Sequence, residues 1–204
     1  MANMINNSGL TPLRAINGSP YNGQGNVYYI PSTDGSQYAI GDAVSTAAGG
    51  DATGIPQVAK ASSASGTPLR GVVAGVFVVP PTGPTSAVGT TLPLEFISVP
   101  ATKAKNYYVL IIDDPHVIFE IQDDGLNALT ATSCNKNAYF TVANQTYPQQ
   151  LSGTTLTTGT VATTNTFPLK IIGLVQRPNN NFGTSARWQV MINQHEFQGN
   201  TAGY

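Results

Sequence analysis

The residues best equipped for chemistry in this chain are crowded into one short stretch. Between Tyr107 and Gly125 (YYVLIIDDPHVIFEIQDDG) stand Asp113, Asp114, Glu120, Asp123 and Asp124, half of the ten acidic residues of the sequence, with His116 among them. Carboxylates are hard oxygen ligands of the kind Ca²⁺ takes roughly six to eight at a time. A carboxylate within hydrogen-bond reach of an imidazole can also move protons. The spacing argues against both uses. The Asp pairs bracket a run of about seven residues that reads as a strand, which holds them roughly 25 Å apart at ~3.3 Å per residue. His116 and Glu120 share a strand face but stand ~13 Å apart. Asp beside Pro or Gly bonds its own backbone in turns, and that is the role expected of Asp113-Asp114-Pro115 and of Asp124-Gly125. His195 and Glu196 are neighbours on a strand-like segment, so their side chains are expected on opposite faces.

Other site signatures are missing from the sequence. It contains no GxSxG, HExxH or P-loop, and no GxGxxG placed between a strand and a helix. The glycine-rich GSPYNGQG leads into a strand and offers no helix N-terminus to a phosphate. Cys134 is the single cysteine, which excludes an internal disulfide or a CxxC site and suits a buried, inert thiol. Tyr107, Tyr108 and Trp188 could form a sugar platform, but at strand positions they read as core or interface anchors.

The elements that must position these residues are strands. Val27–Ile30 and Gln37–Ile40 flank Asp34-Gly35 and predict a hairpin. Val58–Ala61 is a short strand, Arg70–Val79 a strong one ended by Pro80-Pro81, and Leu92–Val99 a candidate interrupted by Pro93. Tyr107–Ile112 is continuously apolar, as a strand covered on both faces would be. In the next strand Val117, Phe119 and Ile121 alternate with Ile118, Glu120 and Gln122, which sends the first set to the core. Ala138–Val142 and Leu169–Val175 follow, and Trp188, Val190 and Ile192 alternate with polar neighbours. The Thr-rich Gln149–Thr166 reads as an exposed hairpin or loop, like the Pro/Gly/Thr loop Pro80–Thr91. No segment of helical length carries apolar residues at helical spacing, and no internal repeat is present. The expected fold is all-β: an antiparallel barrel or sandwich over residues 26–198, of β-tulip or jelly-roll type. Residues 1–25, polar and broken by Pro12, Pro20, Gly18, Gly23 and Gly25, predict an extended N-terminal arm that orders against a partner. Residues 199–204 predict a short polar tail.

Composition narrows the function. The chain has 204 residues, of which 41% are hydrophobic, close to the globular norm. Only 9% are charged, against roughly 25% in ordinary soluble proteins. Charge keeps proteins apart, so this composition points to a protein that works assembled. Net charge is −1 and the nine basic residues are scattered, which speaks against nucleic-acid binding. The N-terminus shows no apolar signal-peptide core, and no stretch reaches the ~18 apolar residues of a membrane helix, so synthesis in the cytoplasm and no membrane partner are expected.

Three segments together resemble the head decoration, or capsid cement, proteins of tailed bacteriophages. They are YYVLIIDDPHVIFEIQDDG, the pair IGDAV and GIPQVAKASSASGTPLRGVVAGV, and the closing LKIIGLVQRPNNNFGTSARWQVMINQHEF. The resemblance implies a β-rich protein that binds the outside of an assembled icosahedral shell, commonly as a homotrimer. It implies the major capsid protein as partner, residence on the outer surface of the virion, and no catalytic residue, cofactor or metal. On that reading the arm laces the shell through Leu10, Pro12, Leu13, Arg14 and Tyr21, with Arg14 as its electrostatic contact. Two other classes rank below it. One is a head-fibre or adhesin-like module that binds host surface glycans; the other is a β-sandwich hydrolase whose metal sits on the Asp clusters.

Overall fold

The structure is a computed structural model that describes residues 3–77, 98–144 and 151–198. The loop Pro80–Thr91, most of the Leu92–Val99 candidate, the start of the Thr-rich segment and the tail from residue 199 lie outside the described residues. The strands are β1 (Thr11–Ala15), β2 (Asn26–Ile30), β3 (Tyr38–Ala39), β4 (Ala43–Gly50), β5 (Pro56–Lys60), β6 (Gly71–Phe77) and β7 (Ser98–Val99). They continue with β8 (Tyr107–Ile112), β9 (Val117–Gln122), β10 (Asn137–Ala138), β11 (Phe140–Thr141), β12 (Thr155–Leu156), β13 (Leu169–Leu174) and β14 (Arg187–Ile192). The fold is all-β, as its patterning and turn residues predict; its only helical pieces among the described residues are two single 3₁₀ turns.

Two bodies share the chain. Strands β2, β5, β4, β6 and β8 close into a barrel in that order, with β8 pairing back onto β2. Every pair is antiparallel except β2–β5, which meet in parallel at Tyr29 and Gln57. Continuously apolar β8 lies between β2 and β6, where both of its faces are covered. Ile30, Val44, Val58, Val76, Val109 and Ile111 fill the interior, and Tyr38 and Val99, from the small β3–β7 pair, join them. The second body is a sheet in the order β1-β9-β14-β13-β10. Trp188, Phe119, Ile121, Leu169 and Ile171 on one of its faces pack against Ala43, Leu69, Val72 and Ile112 of the barrel side, forming the larger core. Gly71 allows the closest approach within the barrel: a Cβ there would lie 2.1 Å from the Ile112 carbonyl oxygen.

The N-terminal segment departs from expectation. Thr11–Ala15 is no free arm but the edge strand of the sheet, antiparallel to β9. Leu10 is buried in the larger core, and its N–H donates to the Gly41 carbonyl at 2.9 Å. Pro12 is tolerated because the strand is at an edge and carries a bulge between Pro12 and Arg14. One large apolar residue and a backbone ladder thus outweigh a polar, Gly/Pro-rich composition.

Two other expectations need correction. The turn at Asp34-Gly35 exists, held by Asp34 bonds to the Ser36 N–H and the Tyr38 hydroxyl, but no hairpin surrounds it. Lys103 donates into the turn to the Asp34 and Ser36 carbonyls, while β2 pairs with β8 and β3 with β7. Part of the Thr-rich segment is buried where an exposed hairpin or loop was expected: Ser152, Thr154, Thr155, Leu156 and Thr158 are inside, while Thr163, Thr164 and Asn165 are exposed. Ser152 and Thr154 donate to the buried Asp42 carboxylate and Thr158 to Asp124, so polar composition does not mean exposure here. Val117, Phe119 and Ile121 enter the core as their alternation predicts, and Ile118, Glu120 and Gln122 on the opposite face are buried as well.

Candidate interaction surfaces

The acidic run resolves into separate structural roles. Asp113, at the end of β8, accepts from the Tyr28 hydroxyl at 2.6 Å and from Asn26 Nδ2 at 2.9 and 3.0 Å. Burial, and then this acceptor, hold the Tyr28 phenol well above its usual range. Asp114 is exposed and accepts from the His116 N–H, the turn bond its type predicts. Asp123 is buried and accepts from Trp188 Nε1 at 3.1 Å, the Ala186 N–H at 3.0 Å and the Gly125 N–H at 2.9 Å. Burial raises its carboxyl pKa, with those hydrogen bonds working the other way. Asp124 takes Thr158 Oγ1 at 2.6 Å and the Leu126 N–H at 3.1 Å. Asp114, Asp123 and Asp124 each make the expected turn bond; the cross-strand reach of Asp113 and Asp123 leaves no trace in the local pattern. Among the described residues no group of three or more His, Cys, Asp or Glu side chains could hold a metal ion.

Glu120 is the best-paired acid. Arg177 meets it through both terminal nitrogens, at 3.0 and 2.5 Å, and Arg187 Nη1 lies 2.7 Å away. Arg187 Nη2 also donates to the Asn6 carbonyl, and Gln122 Nε2 to the Met4 carbonyl, so the segment before β1 covers this end of the second sheet face. That cover explains the buried Glu120 and Gln122. Only tertiary placement brings Arg177, Arg187 and Glu120 together, and no spacing in the sequence announces it.

Of the two histidines, His116 is exposed and His195 buried. His195 Nδ1 accepts from the Phe197 N–H at 3.0 Å, while its Nε2 has no hydrogen-bond partner. Burial holds the imidazole below its usual range. Neighbouring Glu196 pairs with Arg70 at 3.1 Å and bonds Thr46, which ties the chain end after β14 to the barrel.

The five residues expected at an interface divide. Leu10 is a core residue and is corrected to that role. Pro12, Leu13 and Arg14 are half-buried on β1, with Arg14 Nη2 3.4 Å from Gln189 Oε1. Tyr21 is half-buried, donates to the Gln24 carbonyl at 2.7 Å, and has its phenol pKa raised by burial. Pro12 and Tyr21, with Leu10 beneath, line an apolar hollow of about 330 Å³ against Val73, Ala74 and Leu110.

Charge is the surface's scarcest commodity. Glu95 lies outside the described residues; of the other charged residues only Lys105, Asp114 and Arg177 are exposed. Asp42, for example, sits wholly buried with Lys60 Nζ at 3.0 Å and Ser152 Oγ at 2.5 Å. Large apolar side chains are exposed instead: Met4, Ile5, Ile16, Leu126, Val142, Phe182 and Phe197. Compared with known protein families, curated proteins and solved structures, the chain matches none.

Proposed function

We propose that this chain is a structural virion protein, a cement that binds the outer surface of an assembled icosahedral capsid and joins neighbouring major capsid subunits. The observation that carries the reading is the surface itself. Only three of the described charged residues are exposed, every described acid accepts hydrogen bonds within the fold, and the outward face is largely polar, sparse in charge and dotted with large apolar side chains. Such a surface has little to keep it from other proteins. The acids that could have served catalysis or a metal are occupied as hydrogen-bond acceptors. Pro12, Leu13, Arg14 and Tyr21 are the proposed shell contact, and the apolar hollow beside Pro12 and Tyr21 is its socket for an apolar shell side chain.

The proposed action is thermodynamic. A ligand that binds only the assembled shell stabilises it by RT ln(1 + [L]/Kd), about 2.7 kcal/mol per site at a hundredfold Kd. Repeated over many sites, this resists internal DNA pressure without covalent chemistry.

Sedimentation of the purified protein alone and mixed with undecorated tailed-phage shells tests the reading. Co-sedimentation that weakens on Pro12→Ser or Tyr21→Ala, with the fold retained, supports it. A protein that stays at the top of the gradient with every shell tried sinks it, and binding to immobilised glycans would then put the adhesin-like reading first.

A further inference from the structure

We infer that copies of this chain associate head to tail, the arginine-bearing end of one docking on the acidic end of the next. The exposed groups are distributed between two ends of the same sheet. At one end the chain leaves β9 and enters β14, and there the Asn3 side chain clasps the 181–184 loop: its Nδ2 donates to the Asn181 and Thr184 carbonyls, and its Oδ1 accepts from the Asn181 N–H. This clasp sets exposed Met4 and Ile5 beside exposed Phe182, whose ring lies 5.9 Å from Trp188. Leu126 stands on the adjoining turn, where Gly125 abuts Ser185. Beside Met4 opens a polar hollow of about 320 Å³ lined by Asn3, Asn179, Arg177 and Arg187. Two guanidiniums share the single carboxylate of Glu120 beneath it, so the hollow is left with one net positive charge.

At the other end, the turn before β9 carries the opposite sign. Asp113 and exposed Asp114 border a second hollow of about 290 Å³ with Gln24 and Asn26. Exposed Ile16 lies alongside, its N–H bonded to the His116 carbonyl, and exposed Phe197 follows β14 at the same end. Arg14 lies between the two ends, half-buried against Gln189. About 20 Å of strand separates His116 from Gln122. Two of the three exposed charges among the described residues, Arg177 after β13 and Asp114 before β9, therefore mark opposite ends of the sheet, each beside exposed apolar side chains. Complementary patches at different places on one molecule make a heterologous contact, which closes into a ring or runs on as a filament. Apolar contact supplies most of the affinity and the charges set register. The inference deepens the proposed function by giving the cement a self-contact, and it rests on that reading only for the use the contact serves.

Sedimentation velocity over a concentration series, at low and high salt and without shells, tests it. Asp114→Lys and Asn179→Asp reverse or cancel one end each without touching the Glu120 pairs. Each alone should weaken association about tenfold, and in the Asn179→Asp background Asp114→Lys should add little further loss, because the charge it would face has been cancelled. Phe182→Ser should weaken it and reduce the concentration dependence. A wild-type protein that stays monomeric throughout overturns the inference; so does an oligomer that all three single variants leave intact. Because no shell is present, failed self-association leaves shell binding to be judged separately, and shell binding by a monomer would retain the function while discarding this contact.

Discussion

The Tyr28 hydroxyl and Asp113 Oδ2 stand 2.6 Å apart, across the β2–β8 seam that closes the barrel. A carboxylate that reads in sequence as a candidate metal ligand is thus the acceptor for a buried phenol. Asp113→Ala strands the Tyr28 and Asn26 donors, whereas Tyr28→Phe removes one donor and leaves Asn26 in place. Urea unfolding should show Asp113→Ala costing about 2–4 kcal/mol and Tyr28→Phe about half that. Added Ca²⁺ should leave the melting temperature unchanged. A Ca²⁺-dependent rise abolished by Asp113→Ala would reinstate the metal.

Leu10 tests whether the N-terminal strand belongs to the fold. It is 1% exposed in the larger core, so Leu10→Ala should cost roughly 2–5 kcal/mol. Ile5→Ser, at a 77% exposed position, should shift stability by no more than about 0.5 kcal/mol. Gly41→Ala should resemble Leu10→Ala, because its φ is +93° and a Cβ would lie 2.4 Å from the Ser8 carbonyl oxygen. Equal, small effects from all three would return residues 3–15 to the status of an arm.

Period-two alternation made β14 and the core face of β9 legible, and the unbroken apolar run did the same for β8. Those signals depend on residues within a few positions of one another. What escaped was long-range: Leu10 reaching the Gly41 loop, Ser152 and Thr154 turned inward to Asp42, and Arg177 and Arg187 converging on Glu120. A threonine buried on a carboxylate and one in solvent have the same local pattern, because the acceptor that decides between them is over a hundred residues away. The exposed ends of the sheet were equally hidden, since antiparallel pairing rather than sequence proximity gathers Met4, Leu126 and Phe182.

The buried imidazole of His195 gives stability a pH dependence with a definite sign. Its folded pKa lies below the ordinary 6.5, so below that pH the unfolded chain takes up the proton first. Stability should be full above pH 6.5 and fall as pH drops toward the folded value, by at most ~1.4 kcal/mol per pH unit. Asp123 acts oppositely at lower pH: its raised folded pKa makes the native state bind the proton first, which offsets part of the loss as pH approaches the ordinary 3.8. Melting temperatures recorded from pH 7.5 down to pH 5.5 should slope downward in the wild type and flatten in His195→Gln. An unchanged slope in the variant would remove His195 as the cause.

Glu120 offers the clearest separation between a buried charge and its exposed partner. Its side chain is 3% exposed, that of Arg187 19% and that of Arg177 46%. Glu120→Ala leaves Arg187 partly buried without its carboxylate, while Arg177→Gln leaves Glu120 with Arg187 still 2.7 Å away. Breaking a buried pair from the carboxylate side costs about 3–5 kcal/mol, whereas a half-exposed arginine is screened by solvent and contributes under about 1 kcal/mol. Equilibrium denaturation should therefore rank Glu120→Ala above Arg187→Gln, and Arg187→Gln above Arg177→Gln. In the Glu120→Ala background, Arg187→Gln should become nearly neutral, because its charge no longer has an acid to satisfy. If Arg177→Gln proved as damaging as Glu120→Ala, the two arginines would not be sharing the carboxylate, and the positive charge assigned to that end of the sheet would be lost with it.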